Sequence, residues 1–375
     1  MFMVLDCDVL VVGAGPAGSA AARAAAGMGA KTIVVEKKER VGTPVYCGEG
    51  IGEYLIPLLP FKIPKSQLIW RVDGLMFETE KVSVKRTGDF WRGYSVDRTR
   101  FDHWLAKKAG KKGAELKTST ELINLSFSEK HVVEEATIST DGDEETVRPK
   151  MVVAADGAES TVLQLMGLFH KHDEHLVEVV SWEMDNLKLR EPHFEQVFVG
   201  EYSPPGYGYI FPKSKRTANV GIGAPGKRGR VEKLFHEFLE SRPIQNQVKD
   251  ATWVVEKSKR AAWGSIVDKW AYGNVLLAGD IANHNLKPFV EGIIPAIISG
   301  NLAGEFAAKN ARGETLDLET YMEDLREYLH PHLMESDKIV EKLNAMKRHS
   351  GRKRNYLILG MLAQLFELER IEEFE

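Results

Sequence analysis

The 375-residue chain reads as an α/β protein: a Rossmann-like dinucleotide-binding domain, interrupted by a sheet-rich domain and followed by a helical C-terminal tail. Three observations predict this. An apolar run over 8–12 leads into Gly13-Ala14-Gly15-Pro16-Ala17-Gly18 and an alanine-rich helical stretch, and a second apolar run, Thr32-Ile33-Val34-Val35, closes on Glu36. Buried-strand patterns recur far downstream, before Asp156-Gly157 and again before Gly279-Asp280. Between them, the segments at 67–95 and 176–224 alternate apolar and polar residues as strands of a different sheet do.

In the opening βαβ unit Gly13 permits the tight turn, Gly15 lets the backbone approach a pyrophosphate, and Gly18 lets the helix pack closely on the sheet. Pro16 and Ala17 complete the turn, so the pyrophosphate is expected over the helix N-terminus, where free N–H groups favour anions. Glu36 stands where a carboxylate can accept hydrogen bonds from a ribose diol. The unit predicts a bound dinucleotide.

A glycine-punctuated loop, 42–50, follows. Ser95–Leu105 starts a helix, with Asp97 as N-cap and Phe101, Trp104 and Leu105 on one face. Residues 114–153 read as short strands. Phe194–Val199 and Asn219–Ile222 are strands, and Val231, Leu234, Phe235, Phe238 and Leu239 mark an amphipathic helix. Residues 274–280 form a further buried strand, a long helix runs from about Gly292 through Ala308, and the tail from Leu316 is charged and helical. The expected division assigns 1–66, 96–170 and 264–315 to the cofactor domain, 67–95 and 171–263 to the substrate sheet, and 316–375 to the helical tail.

Bulk composition narrows the setting. Fifty basic and 54 acidic residues leave a net charge of −4, which makes no case for nucleic acid. The two cysteines, Cys7 and Cys47, exclude a disulfide framework and point to a reducing compartment. The first strand begins too close to Met1 for a signal peptide, and no apolar run reaches the roughly 20 residues of a membrane span. A cytoplasmic protein is expected, soluble or peripheral at a membrane. No metal site is expected.

Taken together, Gly13–Gly18 with Glu36, Asp156-Gly157 and Gly279-Asp280 resemble the flavoproteins of the p-hydroxybenzoate hydroxylase type. The resemblance implies FAD as the cofactor, with Asp280 hydrogen-bonding its ribityl chain. It also implies that the helix beginning at Gly292 and Ile293 points its positive end at the flavin N1/C2=O region, which would stabilise the anionic reduced flavin. Arg98 matches that family's arginine close to FAD; by itself it reads as a cation paired with Asp97 or Asp102. Two further stretches narrow the family. Pro44-Val45-Tyr46-Cys47-Gly48-Glu49-Gly50-Ile51 is similar to the P-x-x-C-G-E-G loop of geranylgeranyl reductases, implying that Cys47, Gly48 and Gly50 lie on the cofactor. Pro205-Gly206-Tyr207-Gly208-Tyr209-Ile210-Phe211-Pro212, followed by Ala218–Gly223, resembles their G-Y-x-W-x-F-P … N-V-G-x-G segment. From residue 4 to about 310 the chain thus resembles the archaeal-type geranylgeranyl reductases, digeranylgeranylglycerophospholipid reductase among them, which saturate prenyl chains of membrane lipids. It departs from them at Tyr209, where the family has Trp, and at 281–292, where Lys287 and Glu291 replace small residues expected near the flavin.

An isolated prenyl alkene has no carbonyl to accept a hydride, so proton delivery to one carbon must accompany hydride capture at the other. The protein must supply an acid, a dry pocket and alignment at about 3–3.5 Å. Cys47 is the expected catalytic group, a thiol kept neutral by burial, although most free cysteines are simply small buried residues. Glu49 and His284 are further proton sources on the same reading, and each is otherwise a hydrogen-bonded loop residue. Tyr207, Tyr209 and Phe211 alternate along one strand and are expected to wall an apolar tunnel, with Tyr207 and Tyr209 counted beside Cys47 among the catalytic residues. The electron donor is NADPH or a ferredoxin-like protein. The tail carries Lys347-Arg348-His349, Arg352-Lys353-Arg354 and the apolar run 356–366, which suits docking, self-association or a peripheral lipid contact. The competing readings are a flavin-dependent monooxygenase of the same fold and a flavin-binding protein without turnover.

Overall fold

The structure is a computed structural model that describes residues 4–80, 82–129, 131–169, 176–202, 206–264, 267, 269–314 and 317–329, with isolated positions at 333, 336–338, 341–342 and 360. Strands and helices are numbered in chain order. The first sheet has the order β17 (Ala271–Tyr272), β18 (Val275–Leu277), β11 (Asp143–Ala154), β1 (Val4–Val12), β2 (Thr32–Val35) and β8 (Glu115–Lys117), and β9 (Thr120–Glu129) and β10 (Val132–Thr140) extend it. Its centre is parallel, and its registers end together: Val12 lies opposite both Ala154 and Val35, and Ala154 opposite Leu277. Gly13, Glu36, Asp156 and Gly279 therefore emerge at one edge, outside the carboxyl ends of the strands, where open α/β sheets bind ligands.

Helices α1 (Pro16–Gly27), α2 (Arg98–Gly110), α3 (Thr161–Leu165), α4 (Arg228–Glu240), α5 (Arg242–Val248), α6 (Ile293–Ala311) and α7 (Leu318–Tyr328) complete the framework. The helix expected from Ser95 is α2, and the Asp97 carboxylate accepts from the Arg100 N–H at 3.2 Å as its N-cap. Phe101 and Leu105 are buried beneath it, as the periodicity predicts. Helices α1 and α6 touch through backbone. A Cβ on Gly300 would fall 2.1 Å from the Ala17 carbonyl oxygen, and one on Gly304 2.1 Å from that of Ala21. The alanine-rich composition of α1 is what this close approach requires.

The strands expected to be short at 114–153 are longer than that. β9, β10 and β11 span 10, 9 and 12 residues and form an antiparallel meander. Thr140 pairs with Asp143 across Asp141-Gly142, both at positive φ, a two-residue turn that matches strand twist and prolongs the pairing.

The second sheet runs β16 (Thr252–Ala262), β12 (Leu176–Asp185), β15 (Ala218–Ala224), β14 (Tyr207–Pro212), β13 (Phe194–Phe198), β5 (Gly74–Glu78) and β6 (Ser83–Thr87). Val231, Phe235 and Phe238 of α4 bury one of its faces, against Val180, Ile210 and Ile222. A small third sheet, β3 (Gly50–Gly52), β7 (Gly93–Val96) and β4 (Leu68–Val72), lies beside the 42–50 loop in sequence. No described helix is long and apolar enough to cross a membrane. The basic clusters at 347–354 and the apolar run 356–366 lie outside the described residues, apart from Gly360.

Candidate active site

A cavity of about 410 Å³ spans the two large sheets. The dinucleotide side of its wall contains Gly13, Gly15, Pro16, Ala17 and Glu36. Gly13 sits at φ +93°, and a Cβ there would come within 2.5 Å of the Ala155 carbonyl oxygen. Gly18 stands behind the wall: a Cβ on it would strike the Gly13 carbonyl at 1.8 Å. Beyond Gly15 the space is open, which leaves the α1 N-terminus accessible to a phosphate group. Glu36 accepts from the Ala14 N–H at 2.8 Å and the Lys38 N–H at 3.1 Å, and lone pairs remain for a ligand.

Asp156 adds a buried acceptor that sequence reading had used only as a motif. One carboxylate oxygen takes the Val162 N–H at 3.0 Å, while the other, Oδ1, is buried and unpartnered. Burial pushes the carboxyl up, against the pull of its hydrogen bonds. An orphaned acceptor in the cavity wall fits a polyhydroxylated cofactor. Asp280, Gly292 and Ile293 line the same cavity, and a Cβ on Gly292 would fall 3.1 Å from Asp280 Oδ1. The α6 N-terminus has no side-chain cap, so its first N–H groups are available there. These residues fit FAD.

Arg98 both lines the cavity and forms a forked pair with Asp102, at 2.7 Å in each arm. Burial opposes its charge, but Asp102 outweighs this and raises its pKa. Arg98 is thus paired with Asp102 and also borders the cavity.

The opposite wall is strand β14. Tyr207, Tyr209 and Phe211 all face the cavity, while Gly208 and Ile210 turn toward α4. The Tyr207 hydroxyl donates to the Phe289 carbonyl at 3.1 Å, and the Tyr209 and Phe211 rings lie 4.6 Å apart. Gly221 makes room for the Tyr209 ring: a Cβ there would lie 2.5 Å from the hydroxyl oxygen, on the side where Ser181 stands. Burial raises both tyrosine pKa values, so each hydroxyl keeps its proton.

Cys47 and Gly48 bridge the two walls. Cys47 is half-buried, not enclosed as expected. Its sulfur accepts from the Glu49 N–H at 3.2 Å and interacts with Arg98, because the loop opens onto the cavity. Gly48 is confined by Phe211, whose ring would lie 2.8 Å from a Cβ. Gly50 is displaced from its expected place on the cofactor: it lies in β3, behind the wall and against Glu195.

Glu49 is not a proton source. Its Oε2 accepts from Lys213 at 2.6 Å, Asn219 at 2.8 Å and Lys257 at 3.1 Å, and its Oε1 accepts from the Arg98 N–H at 2.8 Å. Glu183 takes the same two lysines at 3.0 and 2.8 Å. Burial would raise the Glu49 pKa, but the lysines outweigh it and hold it below the usual carboxylate range. This ionic cluster was not anticipated, and pinning the 47–49 loop to the sheet is what it accomplishes. His284 is fully buried against the Trp270 ring, outside the cavity wall, as a core histidine.

Lys287 also departs from expectation. Its ammonium turns inward to the Asn283 and Asn285 carbonyls at 3.0 and 2.9 Å, and burial lowers its pKa to about 8. Glu291 accepts from the Gly52 N–H at 2.6 Å. Both side chains leave the cavity because backbone donors and acceptors behind the loop satisfy them.

The FAD binding domain family matches residues 8–55 and, in a second form, 69–290. The chain is 34% identical over 348 residues to the digeranylgeranylglycerophospholipid reductase of Methanocaldococcus jannaschii, covering 90% of this chain and 87% of that protein. To the enzyme of the same name from Methanocella arvoryzae it is 33% identical over 358 residues, covering 90% and 88%. A geranylgeranyl bacteriochlorophyll reductase-like crystal structure from Thermoplasma acidophilum superposes with a TM-score of 0.84 at 27% identity, covering 95% of this chain and 91% of that one. A flavin-dependent brominase at 18% identity, with a TM-score of 0.71, shares the fold alone. With the fingerprint, the orphaned acceptor and the aromatic strand arranged around one cavity, the chain belongs to the digeranylgeranylglycerophospholipid reductase family of FAD-binding proteins.

Proposed function

We propose that this protein is an FAD-dependent reductase that saturates the prenyl double bonds of geranylgeranyl lipids or their precursors. The observation that carries the reading is the single cavity whose one wall suits a dinucleotide and whose other wall is the Tyr207–Tyr209–Phe211 stripe. The bound flavin supplies the electron pair, as a hydride. The chain's own residues do the rest. Gly13, Gly15 and the α1 N-terminus receive the pyrophosphate, Glu36 the ribose, and Asp280 with the α6 N-terminus the flavin end. The aromatic stripe excludes water from an isoprenoid and aligns it. Cys47, at the junction of the walls, faces the reacting carbons and sets the rate or the stereochemical outcome of the reduction.

NADPH or a ferredoxin-like protein delivers the electrons, and anaerobic stopped-flow reduction with each donor separates the two. The tail beyond 347 is read as a peripheral lipid contact or a self-association element. The test of the function is anaerobic incubation of the pre-reduced protein with geranylgeranyl lipids, followed by mass spectrometry. Two hydrogens gained per double bond support the reading. An added oxygen under air supports a monooxygenase, and bound FAD with no product supports a protein without turnover.

A further inference from the structure

Behind the cavity lies a pair of carboxyl groups that meet no cation among the described residues. Glu195 is on β13, where the register sets Val197 opposite Tyr209. Two residues earlier, Glu195 shares that face with Tyr209 and Phe211. Glu291 follows Val290 and precedes Gly292, both cavity-lining. The two side chains press on one face of β3. A Cβ on Gly50 would lie 2.4 Å from Glu195 Oε1, and a Cβ on Gly52 2.9 Å from Glu291 Oε1. Residues two apart on a strand point the same way, so the carboxyls are neighbours, and glycine at both positions makes room for them.

The contrast with the ionic cluster on the same loop is sharp in chemical terms. Glu49 and Glu183 are met by two lysines. Among the described residues, the groups that face Glu195 and Glu291 are each other, the Gly52 N–H, and the hydroxyls of Tyr54 and Tyr207. Two adjacent carboxylates with no counter-ion cannot both ionise at low cost. Burial, and then Glu291, pushes Glu195 up to about 8. Burial pushes Glu291 up to about 7, with the Gly52 N–H pulling the other way. Phe211, which shares the face of Glu195, and Val290 and Gly292, on either side of Glu291, all line the cavity, so the pair lies directly behind its wall.

We propose that Glu195 and Glu291 hold one shared proton at neutral pH and are the proton store for alkene reduction, placed directly behind the cavity wall. This rests on the reductase reading. In the step, the alkene π pair would form one C–H bond with a proton drawn from the carboxyl pair, and a hydride from reduced flavin would supply the second, leaving the flavin oxidised. The carboxyl pair would be recharged by a proton from solvent. Glu195 and Glu291 are positioning residues for that proton.

The test uses the FAD-loaded protein and its E195Q and E291Q variants, glutamine being a neutral isostere of the protonated acid. The infrared spectrum at neutral pH should show a protonated-carboxyl C=O stretch that titrates away near pH 8 and is lost or shifted in each variant. Single-turnover reduction of a geranylgeranyl lipid by pre-reduced protein should slow at least tenfold in each variant, with KM unchanged. The wild-type fall in rate above about pH 8 should flatten in E195Q. A protonated-carboxyl band unaltered in both variants, or an unchanged rate and pH profile, overturns the proposal. Should one variant fail to retain FAD, the other carries the test. If the wild-type protein adds no hydrogen to any prenyl lipid, the reductase reading fails and the proton route with it, and a titrating carboxyl band alone would not rescue the route.

Discussion

The two walls of the cavity are built by opposite means. The dinucleotide wall is made from small residues whose backbones come into direct contact: Gly13 against Ala155, Gly18 against Gly13, Gly300 against Ala17. The substrate wall is made from large aromatic side chains, and the loop in front of it is held by a buried ionic cluster whose members are up to 208 residues apart. Close backbone packing shapes the first wall and buried electrostatics the second. The first should therefore fail through geometry and ligand loss, and the second through charge.

The largest expected effect tests the electrostatic side. Glu49→Ala leaves Lys213 and Lys257 with Glu183 alone in a buried site, and breaking such a cluster costs about 3–5 kcal/mol, read from urea unfolding. The effect should depend on pH. Because the Glu49 pKa is held below its ordinary value, its contribution is present above the unfolded carboxylate pKa and lost as pH falls through the folded one. Wild type and Glu49→Ala should converge in acid. A small loss at neutral pH would mean that the loop is held by packing instead.

Next come the cofactor contacts. Glu36→Ala and Asp280→Ala should each weaken FAD binding to the deflavinated protein by about 1.5–3 kcal/mol, measured by calorimetry. Glu36→Ala should also lower the melting temperature of the apoprotein, since Glu36 holds the Ala14 and Lys38 N–H groups. Unchanged affinity in both variants would remove the ribose and ribityl assignments.

Cys47→Ser should keep the fold and the FAD spectrum and change the rate or extent of alkene reduction severalfold, since serine keeps the size but is a far weaker acid. Full activity with an unchanged product distribution would make Cys47 a packing residue at the junction of the walls.

The tail should matter least to the folded body. Reversing the charge of Arg352, Lys353 and Arg354 should weaken binding to anionic vesicles by about 1 kcal/mol per residue. Added salt should mimic the change, and the melting temperature should hold. Binding that ignores both salt and charge reversal points to docking or self-association, which deletion from Tyr356 onward would then disrupt.

Features that depend on neighbours along the chain can be read from the residues alone. The turn of Gly13, the cap of Asp97 and the alternation of Tyr207, Tyr209 and Phe211 follow from local backbone geometry and strand or helix period, and each was legible before any coordinates. Which way a polar side chain turns, and what charge it meets, depends on the three-dimensional fold. Glu49 reads in the sequence either as a proton source or as a hydrogen-bonded loop residue, and Lys213 and Lys257, arriving from 164 and 208 residues away, decide for the second. Lys287 looked like a flavin neighbour until its ammonium folded back onto two carbonyls. Gly50 matched a cofactor motif and instead makes room for Glu195. A charge buried in a protein takes its protonation state from whatever surrounds it in space, and that surrounding is a product of the whole fold.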